Sequence, residues 1–285
     1  MSSAKAAARG ESGTLYLVST PIGNLGDMSH RAVEVLTSAA LVIAEDTRHS
    51  RRLLHHYRIE TPLSSYHEHN EAKETPRLVA RLQRGDSIAL ISDAGTPLIS
   101  DPGSRLVGAA VAAGLSVVPI PGPSAVMAAL VGSGMSLERF TFFGFLPRKG
   151  KERAETIADI IASQATSVLF ESPNRVGATL DALTAAGAGQ RSAVVARELT
   201  KQFEEFKRGS VAELSNVYRK SDPKGEVVLV IAGAQKQVVT EDELTNAASE
   251  LRASGKPPRD VMDHLVSALG APRNLAYKIA HQGES

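Results

Sequence analysis

Short apolar runs rich in β-branched residues recur along the chain at 14–18, 40–44, 87–92 and 116–120. Helically spaced segments lie between them, as at Arg31, Val33, Val35, Leu36 and Ala39. Near-continuous apolar strands alternating with helices predict a mostly parallel sheet covered on both faces. A second series follows at 141–145, 167–170, 193–196 and 226–232, the last reading EVVLVIA. The two series meet at GFLPRKGK, 144–151, a breaker-rich basic stretch suited to a domain joint. The pattern thus predicts an α/β chain with one domain over 14–145 and another over 146–239. From 240 onward no strand is predicted. Three short helices are, at 241–253, 259–269 and 272–281, as a helix-turn-helix-like appendage over 240–285.

Composition narrows the class. Of 285 residues, 42% are hydrophobic and 22% charged, which argues against wholesale disorder. A formal net charge of +1 argues against a charge-driven binder, although a local basic face stays open. The appendage has five Lys/Arg against seven Asp/Glu, so packing suits it better than reading nucleic acid. The absence of cysteine excludes disulfides, thiolate zinc sites and a cysteine nucleophile, and is compatible with the cytoplasm. No apolar run reaches membrane-spanning length. Residues 1–13 lack the apolar core of a secretory signal and are expected to form a disordered tail.

Three Gly/Pro loops each follow a predicted strand: TPIGNLGD at 20–27, SDAGTPLISDPG at 92–103 and PIPGPSA at 119–125. In open parallel sheets, ligands bind beyond the carboxyl ends of strands. Gly95 allows close backbone approach and Pro97 stiffens the chain beside it, while Asp93, Thr96 and Asp101 offer groups for an amine or ribose. Ser124 is placed to start a helix whose free N–H groups would suit a carboxylate. One such loop merely turns the chain; three on one edge point to a cleft. No G-x-G-x-x-G follows a strand and no G-x-x-x-x-G-K-[ST] occurs, which disfavours a dehydrogenase or P-loop NTPase.

These loops, with the stretches LVSTPIGNLGDMSHRAVEVLTSAALVIAEDTRHSRRLL, PIPGPSAVMAAL, FFGFLPRKGK, FESPNRV and ARELTKQFEEFKRG, carry a family resemblance. From about 14 to 234 and in its helical tail, the chain resembles the small-subunit ribosomal RNA methyltransferases of the tetrapyrrole methylase-like superfamily. The resemblance implies two α/β domains with a cofactor cleft between them, binding folded S-adenosylmethionine. It implies 2′-O-methylation of a decoding-centre cytidine in 16S rRNA of the small ribosomal subunit, by a homodimer. Carried over by position, the cofactor residues are Ile22, Gly95, Thr96, Ile99, Ser124, Ala125, Phe170, Ala196, Gly225 and Glu226. Asp93 is a candidate for the methionine amine, or for an Asx turn in its own loop.

A ribose hydroxyl is a poor nucleophile, so a nearby base or cation would help the transfer. The candidates follow the second strand: Glu45, Asp46 and Arg48, then His67, with Asn70 as a substrate contact. Residues 47–58 carry Arg48, Arg51, Arg52 and Arg58 with no acid, either an RNA-facing strip or a solvated helix face. Arg148, Lys149 and Lys151 are candidates for rRNA phosphates, while Glu171 and Arg175 either orient substrate or pair across their turn. His67 and His69 lack a third ligand, and no metal is expected. A tetrapyrrole or other small molecule as substrate, or a non-catalytic RNA-binding module, remain the alternatives.

Overall fold

In the computed structural model, which describes residues 12–234 and 240–281, each of the first four apolar runs forms a strand. The order is β1 (Thr14–Val18), α1 (His30–Ser38), β2 (Leu41–Ala44), α2 (Thr47–His56), β3 (Leu63–Ser65), α3 (Glu71–Gln83), β4 (Ile88–Ile91), α4 (Ser104–Ala112), β5 (Ser116–Ile120) and α5 (Ala125–Ser133). The five strands pair in parallel in the order β3-β2-β4-β1-β5. Both faces are covered, one around Leu15, Ile43 and Leu90 and the other around Val18, Val42 and Ile91. Strands β4, β1 and β5 are neighbours, so the three Gly/Pro loops that follow them leave from adjacent strand ends. The expected disordered tail lies outside the described residues except for Ser12 and Gly13. Gly13 is buried and donates its N–H to the Leu82 carbonyl at 2.8 Å.

The second series builds β6 (Phe140–Phe145), α6 (Lys151–Ala162), β7 (Thr166–Glu171), α7 (Val176–Leu183), β8 (Ser192–Arg197), β9 (Glu205–Ser210), α8 (Val211–Tyr218) and β10 (Val227–Ile231). Its sheet order is β6-β7-β10-β8-β9. Here the parallel expectation fails: only β6 and β7 run parallel, and the β10–β7, β10–β8 and β8–β9 pairs are antiparallel. Strands buried on both faces read as apolar runs in either direction, so the pattern could not reveal this. Strand β9 was not foreseen because its EFKRGS sequence is polar, as befits an edge. The change of sheet also comes before β6, not after residue 145.

Helix α5 joins the two halves. Its Val126, Ala129 and Leu130 pack with Val168, Val194, Ala196 and Val228 of the second sheet. The opposite face of that sheet carries a separate core with α6, α7 and α8, including Leu169, Val195, Leu229 and Leu180. Residues through Ala234 accordingly form one unit. The C-terminal unit contains α9 (Glu241–Ala253), α10 (Pro258–Ser267) and α11 (Arg273–Ala280). A capping box from Thr240 and Glu243 starts α9, worth about 1 kcal/mol. Leu244, Val261, Leu265 and Ile279 bury the helices against one another. Among the described residues, no helix is long and apolar enough to cross a membrane.

Candidate functional site

The ends of β1, β4 and β5 are stitched into one wall. Thr20 and Gly95 exchange both backbone hydrogen bonds, at 2.9 and 3.0 Å. The Thr20 hydroxyl donates to the Ser92 carbonyl at 3.2 Å, and the Ser92 hydroxyl to the Gly95 carbonyl at 3.0 Å. Thr96 reaches across to the Pro123 carbonyl at 3.2 Å. Gly95 holds φ +86°, which strains any side chain, and a Cβ there would lie 3.2 Å from Ile22 Cγ2, close enough that Ile22 would have to shift. Ser124 caps α5 by accepting from the Met127 N–H.

A cavity of about 390 Å³ opens between this wall and the ends of β7 and β10. It is lined by Ile22, Asp93, Gly95, Thr96, Ile99, Ser124, Ala125, Phe170, Gly225 and Glu226. Of the expected cofactor residues, only Ala196 is not in the lining. It is fully buried one strand over, paired with Val228, which does line the cavity. Leu199 and Phe145 also line it and were absent from the expected site, and so does Asp101, expected there as a group for an amine or ribose. The Gly225–Glu226 corner is pinned: Lys201 pairs with Glu198 at 2.8 Å and Glu226 at 3.1 Å. Gly225 has no room for a Cβ, which would fall 2.0 Å from the Glu198 carboxylate.

Three carboxylates crowd the polar side. Burial, then the charges of Glu45 and Asp93, push Asp101 up to about 6, with Ser92 opposing. Glu45 is raised by partial desolvation and then by Asp93, with His67 opposing. Asp93 accepts the Asp46 N–H at 3.2 Å, which ties the loop after β4 to the end of β2. Like charges held this close are relieved by a cation. Volume, apolar wall and carboxylates together fit a ligand that is flat and uncharged at one end and positive at the other.

The other expected residues divide. Asp46 caps α2 through the Arg48 N–H at 2.8 Å and pairs with the Arg48 guanidinium at 2.9 Å. Those bonds hold its carboxyl down at about 2, far from a proton acceptor's range. His67 is half-buried, with Nδ1 enclosed and without a hydrogen-bond partner. Asn70 holds its own turn, accepting from the His67 N–H at 2.9 Å and donating to the Ser65 carbonyl at 3.1 Å. Arg51 and Arg52 are exposed on α2 without ion pairs among the described residues, as are Arg148 and Lys149 in the 146–150 loop. Lys151 pairs with Glu155 at 3.2 Å.

Glu171 and Arg175 turn inward. Glu171, 2% exposed, accepts from the Thr179 hydroxyl at 2.7 Å and the Ser172 N–H at 2.8 Å, and pairs with Arg175 at 3.3 Å. Arg175 in turn donates to the Leu146 and Pro147 carbonyls at 2.6 and 3.2 Å. Of the two roles left open for this pair, pairing across the turn is the one seen. Among the described residues, no cluster of three or more His, Asp or Glu could hold a metal.

Residues 14–215 match the family described as Tetrapyrrole (Corrin/Porphyrin) Methylases. The chain is 44% identical over 276 residues to the ribosomal RNA small subunit methyltransferase I of Synechocystis sp., covering 96% of this chain and 99% of that protein. It is 51% identical over 222 residues to the protein of the same name from Mesorhizobium japonicum, covering 78% and 76%. Among solved structures it is similar to diphthine synthase (TM-score 0.61, 17% identity, 78% of this chain and 90% of that one). It is also similar to uroporphyrin-III-C-methyltransferase from Thermus thermophilus (TM-score 0.55, 20% identity, 77% and 94%). At those identities the likeness is one of fold.

Proposed function

The chain belongs to the tetrapyrrole methylase family, and within it to the ribosomal RNA small subunit methyltransferase I group; on that premise we propose that it 2′-O-methylates a decoding-centre cytidine of 16S rRNA using S-adenosylmethionine. The observation that carries this reading is the stitched cavity, apolar on one side and crowded with carboxylates on the other. S-adenosylmethionine bound there supplies a methyl group on a positively charged sulfur, open to in-line attack. Ile22, Ile99, Leu199 and Phe170 form the apolar wall for its adenosine, and Asp93 faces its ammonium group.

Asp101 is the group suited to take the acceptor's proton. It lines the cavity and is half-buried, and its carboxyl titrates near 6, so it is ionised yet basic at neutral pH. Asp101 would take the proton of the ribose hydroxyl as that oxygen accepts the methyl group the cofactor would supply. Glu45 and Asp93 set the potential around that carboxylate, His67 acts on Glu45, and the Asp46–Arg48 pair anchors α2. Arg51, Arg52, Arg148 and Lys149 hold rRNA phosphates, which fix register without reading sequence. The enzyme works in the cytoplasm as a homodimer. Exposed Met127 and Val131 on α5 offer an apolar face for the partner copy.

The test is methylation of small subunits that lack the modification. The protein and S-adenosylmethionine should yield an alkali-resistant linkage at one cytidine. Methyl groups on base atoms alone, or on a tetrapyrrole and not on rRNA, would overturn the proposal. Sedimentation at micromolar concentration reads the dimer.

A further inference from the structure

Strand β6 contains an irregularity that serves no evident folding purpose. Phe142 lies opposite Val168, but Phe145 lies opposite Phe170, so β6 spends three residues where β7 spends two. Gly144, at φ +65°, sits within this bulge. Alternation would otherwise put Phe143 and Phe145 on the same face. Phe143 does pack into the core against α6 and α7, whereas the extra residue turns Phe145 onto the opposite face, with Phe142 and Phe170. Bulges commonly re-aim a side chain beside a functional site.

The re-aimed ring is left bare. Phe145 lines the cavity yet is 54% exposed, leaning on Phe170 with centroids 5.4 Å apart at 57°. Phe170 is braced from behind by Phe142 at 4.9 Å. The backbone just after Phe145 is gripped by two guanidiniums: Arg175 on the Leu146 and Pro147 carbonyls, and Arg153 on Pro147 at 3.1 Å. Leu146 itself is buried. The ring therefore stands on a rigid mount, at the cost of leaving a large apolar surface in water. Gly144 comes close to the loop after β4, where a Cβ on it would lie 3.5 Å from Ser100 Oγ, next in sequence to Asp101. Exposed Arg148 and Lys149, with no ion pair among the described residues, follow within four residues of Phe145.

A bare aromatic face beside a carboxylate, next to exposed cations, fits an unstacked nucleotide: base on ring, ribose toward the acid, phosphate toward the cations. We infer that Phe145 is the platform on which the base of the acceptor nucleotide stacks, so that its ribose is presented to Asp101. The inference rests on the rRNA reading above and adds to it the residue that positions the substrate. Stacking is tolerant of base identity, so Phe145 sets geometry, and the choice of nucleotide falls to other contacts.

The experiment compares wild-type protein with Phe145→Ala, Phe145→Leu and Phe145→Tyr on unmodified small subunits, with cofactor affinity measured separately by calorimetry. Losing one stacked base should lower kcat/KM about 10- to 100-fold in the Ala and Leu variants. The Tyr variant should recover most of that loss, and the Kd for S-adenosylmethionine should stay within about twofold in all four. Thermal midpoints should match, because the ring is exposed. An Ala variant as active as wild type, or a Leu variant that behaves like Tyr, overturns the inference. So does a cofactor Kd that weakens in step with kcat/KM, since Phe145 would then be a wall of the cofactor site. Failure of wild-type protein to methylate rRNA at all would instead remove the reading beneath it.

Discussion

Replacing Asp101 with Asn should make the protein more stable and far less active, and the two effects should share one pH dependence. A carboxyl moved from 3.8 to about 6 has its ionised form destabilised in the fold by about 3 kcal/mol. Asp101 is only half-buried, so solvent screening brings this to about 1–2 kcal/mol. Because the folded pKa lies above the unfolded one, this contribution favours the fold below pH 3.8 and is lost as pH rises through 6. At pH 8 the wild-type protein bears the whole penalty and Asp101→Asn escapes it. With about 2–4 °C per kcal/mol for a unit of this size, Tm should rise about 2–8 °C at pH 8, and the gain should vanish near pH 4. Methyl transfer should fall by about 100-fold or more, and the wild-type rate should climb with pH to a plateau above 6. Calorimetric scans across that range, beside a single-turnover methylation assay, test both halves. An unchanged Tm at pH 8 would refute the electrostatic account. Retained activity with an unaltered pH profile would refute Asp101 as proton acceptor.

Other substitutions probe the frame. Gly95→Val forces a branched side chain into φ +86° against Ile22; it should cost about 1–2 kcal/mol in stability and abolish cofactor binding by calorimetry. Gly177→Ala places a Cβ 2.7 Å from the Tyr218 carbonyl, so α7 and α8 must separate; urea unfolding should show a loss of about 1–3 kcal/mol, with cofactor affinity intact in the folded fraction. Glu171→Ala leaves Arg175 and the Thr179 hydroxyl without their buried partner and should destabilise by about 3–5 kcal/mol in the same assay. Removing both Arg51 and Arg52 should reduce the salt slope of subunit binding by about two, with no change in cofactor Kd.

Much of the site was legible because its signals are local. Gly95 and Ser124 follow apolar runs and are needed for a turn and a cap, which depend on neighbours in sequence. What depended on neighbours in space was not. The direction of β10 between β7 and β8 leaves no mark on VVLVI, since both faces are buried whichever way it runs. Asp101 could be seen as a carboxylate in the right loop, but its raised pKa comes from burial and then from Glu45 and Asp93, one of them more than fifty residues away. Asn70 and Glu171 read as polar groups near strand ends, and only their partners show that they hold the chain. Ala196 was carried over by position, and it lies one strand over from Val228, which lines the cavity in its place. The one overlooked local signal was Gly144, a glycine interrupting a strand of aromatics.

That glycine has a consequence for how this stretch tolerates change in length. Surface loops accept insertions and deletions readily. Dropping Gly144 would restore plain alternation and still leave Phe143 and Phe145 on opposite faces, with Phe145 opposite Phe170. A scan of one-codon deletions should therefore find one tolerated position in the middle of an otherwise intolerant strand, where the chain makes its extra half-step.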